Sequence, residues 1–161
     1  MNEDIKLKLE EKFPGRILDF KSPRQGRIYF RVAGDKFKDI LMYAMNDLGY
    51  SHLSTLTGVD NRTEFEVMYN LFGKNTGVSI GVKVNHENPH IETITDIVPG
   101  ALVHERELQD LMGIKVDNIP DGRRLIIPED WPVDQFPLRK DWNKSMLPDS
   151  FNDGLLRKWT E

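Results

Sequence analysis

The sequence predicts an α+β domain, in which an antiparallel or mixed sheet carries helices on one face, followed by an extended, proline-rich C-terminal tail. Apolar residues recur at helical spacing in two N-terminal segments, and they alternate at a period of two in three later ones. Five of the nine prolines follow residue 119, too close together for a regular helix. We therefore expect a domain over residues 1–118 and a tail over residues 119–161.

The first half contains two predicted helices. Residues 2–13 carry apolar side chains four positions apart, and Pro14-Gly15 should end that helix. A second apolar stripe runs over 37–48, with Asp35 at the N-cap position before it and Gly49 after it. Each stripe is one face of an amphipathic helix, which should lie on the sheet.

Three segments alternate between apolar and polar residues and are predicted strands: 27–32, 65–71 and 78–84. A further strand is expected to begin at His52. The turn-rich stretch 73–77 separates 65–71 from 78–84, so we expect these two strands to pair as a hairpin. Alternation of this kind is typical of a sheet with one buried face and one wetter face.

Composition excludes several classes of function. The chain has 161 residues, the size of one domain, and no cysteine, so it offers no thiolate for a cluster, a zinc site or covalent catalysis. Its net charge of −4 argues against a nucleic-acid binder. His86 and His90 flank a proline turn without a third ligand, so a solvated loop is expected there. With neither a signal peptide nor an apolar span in the sequence, we expect a cytosolic protein or a subunit of a larger assembly.

The densest polar segment lies on a predicted helix around residues 101–112. Glu105 falls on the apolar stripe of that helix, so its carboxylate should be buried and either paired or hydrogen-bonded. Arg106 and Asp110 stand four residues apart on another face, where we expect an intrahelical pair, and Gly113 should end the helix. Two interpretations of Glu105 are open: a structural ion pair, which we favour, or proton chemistry together with His104.

The tail contains adjacent cations beside large apolar groups and prolines. Arg123 and Arg124 precede an aliphatic run and Trp131, while Arg139 and Lys140 follow Pro137 and Leu138 and precede Trp142. Arginine and tryptophan are enriched at the centres of protein interfaces. The tail should therefore either cap its own domain or form a docking strap, with these cations and aromatic side chains against a partner protein.

Read in order, these segments resemble the signature of the thirty-kilodalton subunit family of respiratory complex I and its relatives. The match runs over about residues 98–142. Its parts are Glu105-Arg106-Glu107 with Asp110 and Gly113-Ile114, then Pro120-Asp121, Arg123-Arg124 with an apolar run, and Pro137-Leu138-Arg139-Lys140-Asp141. Val103, Gln109 and Ile119 depart from the usual family residues, and these departures are more similar to the branch in membrane-bound energy-converting hydrogenases.

The resemblance implies a subunit without catalytic, cofactor-binding or metal-binding residues of its own. It implies a place in the peripheral arm, on the cytoplasmic face of the cell membrane, reached only through the complex. The implied partners are a hydrogenase-like large subunit and an iron–sulfur small subunit, which would carry the iron–sulfur clusters and, in the hydrogenase branch, a nickel–iron centre. The motif residues, with Trp131, would then lie at subunit interfaces. The alternatives are a free-standing adaptor or assembly factor, and a small acid–base enzyme.

Overall fold

A computed structural model describes residues 2–73 and 76–148, and it has an α+β architecture. The helices are α1 (Asn2–Lys12), α2 (Phe37–Asn46) and α3 (Ala101–Met112), with 3-10 turns at Gly34–Lys36 and Lys144–Met146. The strands are β1 (Ile17–Arg24), β2 (Arg27–Val32), β3 (His52–Asp60), β4 (Glu64–Gly73), β5 (Thr76–Asn85), β6 (His90–Glu92) and β7 (Lys115–Asp117).

Five strands form one mixed sheet in the order β1-β2-β5-β4-β3. The predicted hairpin is β4–β5, and all neighbours are antiparallel except β2 and β5, which run parallel. Strands β6 and β7 form a separate parallel pair. Alternation of apolar residues does not predict β1, because Asp19 (φ +50°) and two register shifts interrupt its period. Strands β6 and β7 are not predicted either, because each has only three residues.

The helices pack on one face of the five-stranded sheet, as predicted. Phe37 of α2 stacks on Tyr69 of β4 with 5.6 Å between ring centroids, and Phe13, just after α1, meets Tyr43 of α2 at the same distance. Helix α3 lies against β3 at Gly58, where a Cβ atom would fall 2.2 Å from the Met112 sulfur. The glycine therefore permits the close approach of α3 to the sheet.

The opposite face of the sheet is polar and bonded within itself. Glu66 reaches from β4 across Gly81 of β5, where a Cβ atom would collide with its carboxylate. It accepts hydrogen bonds from Arg31 Nε (2.9 Å) and Tyr29 Oη (2.6 Å) on β2. Burial alone would raise the pKa of Glu66, but these hydrogen bonds outweigh it and lower that pKa.

The start of α2 differs from the prediction. Asp35 lies in the preceding 3-10 turn, and α2 begins after Lys36 without a side-chain cap. The Asp35 carboxylate instead pairs with Arg16 at 2.8 Å. After β7 the described chain continues to residue 148 without further strand or α-helix. No helix among the described residues has the length and apolar character needed to cross a membrane.

Candidate functional site

Helix α3 and the segment that follows β7 contain most of the residues that the sequence singled out. The helix runs from Ala101 to Met112, and its apolar face carries Leu108 and Met112 into the core. Gly113 ends it in the left-handed region (φ +67°), as predicted, with its amide bonded to Gln109 O. Three polar side chains of α3 then determine how the neighbouring chain is held.

Glu105 is 2% exposed, and it is hydrogen-bonded rather than ion-paired. Its Oε2 accepts a bond from the Thr93 hydroxyl (2.6 Å), and its Oε1 accepts one from the Ile94 amide (2.7 Å). The favoured expectation of an ion pair is therefore wrong, because a hydroxyl and an amide satisfy this carboxylate. Burial, together with the Glu105 charge, raises the pKa of Tyr69 well above its usual value.

Arg106 and Asp110 hold the segment 123–126 by its backbone rather than pairing with each other as predicted. Arg106 donates to the carbonyls of Arg123 (2.7 Å) and Arg124 (2.8 Å). Asp110, 6% exposed, accepts at Oδ2 from the amides of Leu125 (2.7 Å) and Ile126 (2.8 Å). We call these four bonds the backbone clamp. Two side chains one helical turn apart thus bind the main-chain groups of four consecutive residues.

The backbone clamp leaves the side chains that it positions facing solvent. Leu125 is 40% exposed and Ile126 is 52% exposed. Close by in the chain, Arg124 organises the next loop, donating from Nη1 to the carbonyls of Pro128, Glu129 and Trp131, each at 2.9 Å. The clamp therefore fixes the course of the chain while leaving about half of each of these two aliphatic side chains exposed.

The end of α3 is capped by a second stretch of the same segment. The Leu138 amide donates to Leu111 O (3.0 Å), and Arg139 Nε donates to Met112 O (2.7 Å), so two carbonyls at the helix end are satisfied. The Arg139 guanidinium lies 4.5 Å from the Phe136 ring centroid. That ring covers Gly113, where a Cβ atom would fall 2.5 Å away.

Asp60 and His86 complete this cap, and the sequence analysis assigned neither to it. Asp60 Oδ2 accepts from the Lys140 amide (2.8 Å) and Oδ1 from the Arg62 amide (2.6 Å). Burial raises the pKa of Asp60, but these amide hydrogen bonds outweigh it, and the net pKa is lowered. His86, expected in a solvated loop, stacks on Phe65 at 4.4 Å. The one local sequence signal for this role of Asp60 is its position at the end of a strand, directly before Asn61-Arg62.

The remaining predicted residues lie at the surface of this region. Arg123 pairs with Asp121 at 2.8 Å, while Pro120 is exposed and Pro137 is half-buried. The rings of Trp131 and Trp142 pack at a tilt with 6.2 Å between centroids, and both indole N–H groups donate to Gln135. Arg124 and Arg139, in contrast to Arg123, donate to main-chain carbonyls of their own chain. Residues 149–161 of the predicted tail lie outside the described residues.

Within the described part of the chain, the side chains singled out from the sequence make structural contacts and do not converge as reactive groups. The Glu105 carboxylate accepts its hydrogen bonds from the segment before α3, whereas His104 Nδ1 lies 4.0 Å from Glu107 Oε2. No three metal-binding side chains cluster within residues 2–73 and 76–148. Glu107 and Leu138 line a groove of about 130 Å³ between β3 and α3.

The chain is similar to known proteins over most of its length. The family model of the respiratory-chain NADH dehydrogenase 30-kDa subunit matches residues 30–146. The chain is 34% identical to a subunit of the NADH-quinone oxidoreductase of Geobacter sulfurreducens, over 88% of this chain and 89% of that protein. It is 27% identical to the membrane-bound hydrogenase subunit beta of Pyrococcus furiosus, over 97% and 96%.

Longer proteins and solved structures are also similar. The chain is 32% identical to hydrogenase-4 component G of Escherichia coli over 86% of its own length, yet it spans only 26% of that relative, and 24% of formate hydrogenlyase subunit 5. An archaeal membrane-bound sulfane sulfur reductase structure shares the fold, with TM-score 0.71, 23% identity and coverage of 96% and 91%. A trypsin-resistant fragment of Nqo5 matches with TM-score 0.62, 26% identity and coverage of 75% and 99%. This chain therefore belongs to the respiratory-chain NADH dehydrogenase 30-kDa subunit family.

Proposed function

We propose that this chain is a cofactor-free, peripheral-arm subunit of a complex I-like oxidoreductase, of the quinone type or the energy-converting hydrogenase type. Its segment 119–148 would dock on the hydrogenase-like large subunit, near the iron–sulfur small subunit. The names of the relatives support this assignment, since they include a quinone oxidoreductase subunit and a membrane-bound hydrogenase subunit. In two relatives the matching part is about a quarter of a longer chain, so there the fold is joined to further protein.

The observation that carries the proposal is the direction of the clamped side chains. A segment that merely covers its own domain would turn its aliphatic groups inward, because their burial is the main gain. Here the backbone clamp holds the main chain of 123–126, while Leu125 and Ile126 face solvent. An apolar surface with a fixed main chain is suited to docking, because little ordering entropy remains to be lost on association.

In this proposal the electron transfer and the coupled ion translocation belong to the complex. The chain has no cysteine, so iron–sulfur clusters, and in the hydrogenase branch a nickel–iron centre, would lie in the partner subunits. The chain would sit at the cytoplasmic face of the cell membrane and meet the membrane only through the complex. The predicted contacts of Arg123 and Lys140 with a partner subunit remain proposals.

The sequence is also compatible with two other functions. An acid–base enzyme would need Glu105 and His104 to converge on a cleft, whereas Glu105 is buried and fully engaged with the chain preceding α3. A free-standing adaptor or assembly factor would use the same docking surface. Stable association with a cluster-bearing complex distinguishes the subunit from the adaptor.

The test is copurification of an affinity-tagged full chain from detergent-solubilised membranes of cells that make it. The wild-type chain should bring down an iron–sulfur complex at equal stoichiometry, measured by quantitative mass spectrometry and by electron paramagnetic resonance of the clusters. The double variant Leu125→Asp with Ile126→Asp should lose at least about tenfold in affinity. Full burial of an aliphatic side chain is worth about 1.5–3 kcal/mol, and docking can bury only the exposed half of each side chain, about 1 kcal/mol apiece, whereas each tenfold corresponds to about 1.4 kcal/mol.

The control is Leu7→Asp, which introduces one such aspartate at an apolar position of α1 that is 63% exposed. It should copurify as the wild type does. If the double variant joins the complex at normal stoichiometry, the segment only caps its own domain. If the wild-type chain is recovered without the complex, it is an adaptor or assembly factor.

A further inference from the structure

We propose that the free edge of β3 is completed in the assembled complex by an extended strand of a neighbouring subunit, and that an aliphatic side chain of this strand enters the groove between β3 and α3. The inference rests on the proposed function, because the neighbour supplies the strand. It concerns a surface separate from the apolar one presented by the backbone clamp.

The two edges of the five-stranded sheet have opposite chemistry. Edge strands expose unpaired main-chain groups, and proteins protect them with prolines, bulges and charges. Strand β1 has all three: Pro23, charged Lys21 and Arg24, and two register shifts, with Asp19 in the left-handed region. This edge is protected against pairing with another chain.

Strand β3 has almost none of these devices. Residues 52–59 contain no proline and no Lys, Arg, Asp or Glu. Its pairing with β4 shifts register once, between Leu53 and Thr55, and then continues regularly to Asp60. In the described part of the chain, the backbone-to-backbone hydrogen bonds of residues 53–59 are those of the β3–β4 ladder. A regular, uncharged, threonine-rich strand of this kind is a template for strand addition.

The groove beside this edge has the size and lining of a pocket for one side chain. Its volume is about 130 Å³, close to the ~150 Å³ apolar cavity that accommodates benzene. The backbone of β3 forms one wall, and aliphatic side chains form the other. The lining residues used here are Leu56, Gly58, Leu108, Leu111, Met112 and Leu138. In strand addition, main-chain bonds supply affinity and such a pocket supplies specificity.

Charge at the rim favours a different chain over a second copy as the occupant. Glu107 lines the groove, and its side chain is 46% exposed. A pairing of β3 with itself about a two-fold axis near Leu56 and Thr57 would bring two Glu107 carboxylates together, which is unfavourable. A partner strand with an aliphatic residue in the groove and a lysine or arginine beside it would neutralise this charge.

Hydrogen–deuterium exchange of the full chain, free and in the purified complex, tests the inference. About half of the amides in residues 53–59 should exchange at least about tenfold more slowly in the complex, because alternate amides of an edge strand face its new neighbour. Peptides from β1 are the matched control within the same molecule and should keep their exchange rates. Leu138→Asp, which puts a charge in the groove, should remove the protection, whereas Leu7→Asp, at an exposed position of α1, should not.

The outcomes separate this inference from the proposed function. A wild-type chain that joins no complex contradicts the proposed function. A complex that forms while 53–59 exchanges as fast as in the free chain overturns only the β3 inference. Protection already present in the free monomer would mean that the chain covers its own edge, and protection that rises with concentration as dimers form would mean a second copy; either result overturns it.

Discussion

Replacing Asp110 by alanine removes the oxygen that accepts hydrogen bonds from two consecutive amides, those of Leu125 and Ile126, at 2.7 and 2.8 Å. The carboxylate is 6% exposed, so solvent screens it little. Half of the backbone clamp is lost, whereas the apolar contacts of α3 with the sheet are not touched. The consequence should therefore be local opening of the segment around residues 121–128 and not unfolding of the domain.

The size of the effect follows from the two bonds. A hydrogen bond to a charged group contributes about 1.5–3 kcal/mol. The lower end applies here, because Leu125 and Ile126 are 40% and 52% exposed and their released amides can bind water. Two bonds therefore amount to about 3 kcal/mol, or about a hundredfold in the opening equilibrium. Asp110→Asn keeps a neutral acceptor and should lose about half of this, or about tenfold.

Native-state hydrogen exchange followed by mass spectrometry measures the opening directly. Peptides covering 121–128 should exchange about a hundredfold faster in Asp110→Ala, while peptides from β4 and β5 keep the wild-type rates. If the 121–128 peptides of the folded Asp110→Ala variant exchange within about threefold of wild type, the Asp110 bonds do not hold the segment and the reasoning fails.

Three further predictions concern single positions. Glu105→Ala leaves a buried hydroxyl and a buried amide without a hydrogen-bond acceptor and should lower the free energy of unfolding by about 3–5 kcal/mol, whereas Glu105→Gln should lower it far less. A variant that melts normally yet loses electron transfer in the complex would indicate a proton-handling role. Gly113→Ala places a Cβ atom against an aromatic ring at φ +67° and should cost about 2 kcal/mol or more in chemical denaturation, whereas Gly100→Ala, with open space around it, should be neutral. Because the folded-state pKa of Asp60 lies below 3.8, its bond to the Lys140 amide stabilises the fold above that pH and is lost as the pH falls through the folded-state pKa. The free energy of unfolding of Asp60→Asn should therefore fall less steeply below pH 4 than that of the wild type. An unchanged slope would contradict this assignment.

Local patterns predicted the elements whose signal is contained in the chain itself. Helix α3 and its end at Gly113, and the hairpin of β4 and β5, depend on spacing and turn chemistry over a few residues. The parallel pairing of β2 with β5 depends on which distant strands meet, and neither strand's pattern contains that information. Strand β1 was missed because a bulge broke its period.

The candidate site shows the same division. The sequence by itself determined that Glu105 would be buried, because it lies on an apolar stripe, and that the chain has no cysteine ligand for a cluster. It also contained the ordered motifs that the family model matches. Only the tertiary structure decided which groups the polar side chains of α3 bind. Asp110 could have met Arg106 one turn away, but the amides of 125 and 126, fifteen and sixteen residues further along the chain, bind it instead. The physical reason is that a buried carboxylate is satisfied by whichever donors the fold brings within about 3 Å, and those donors are set by the path of the chain rather than by spacing along it.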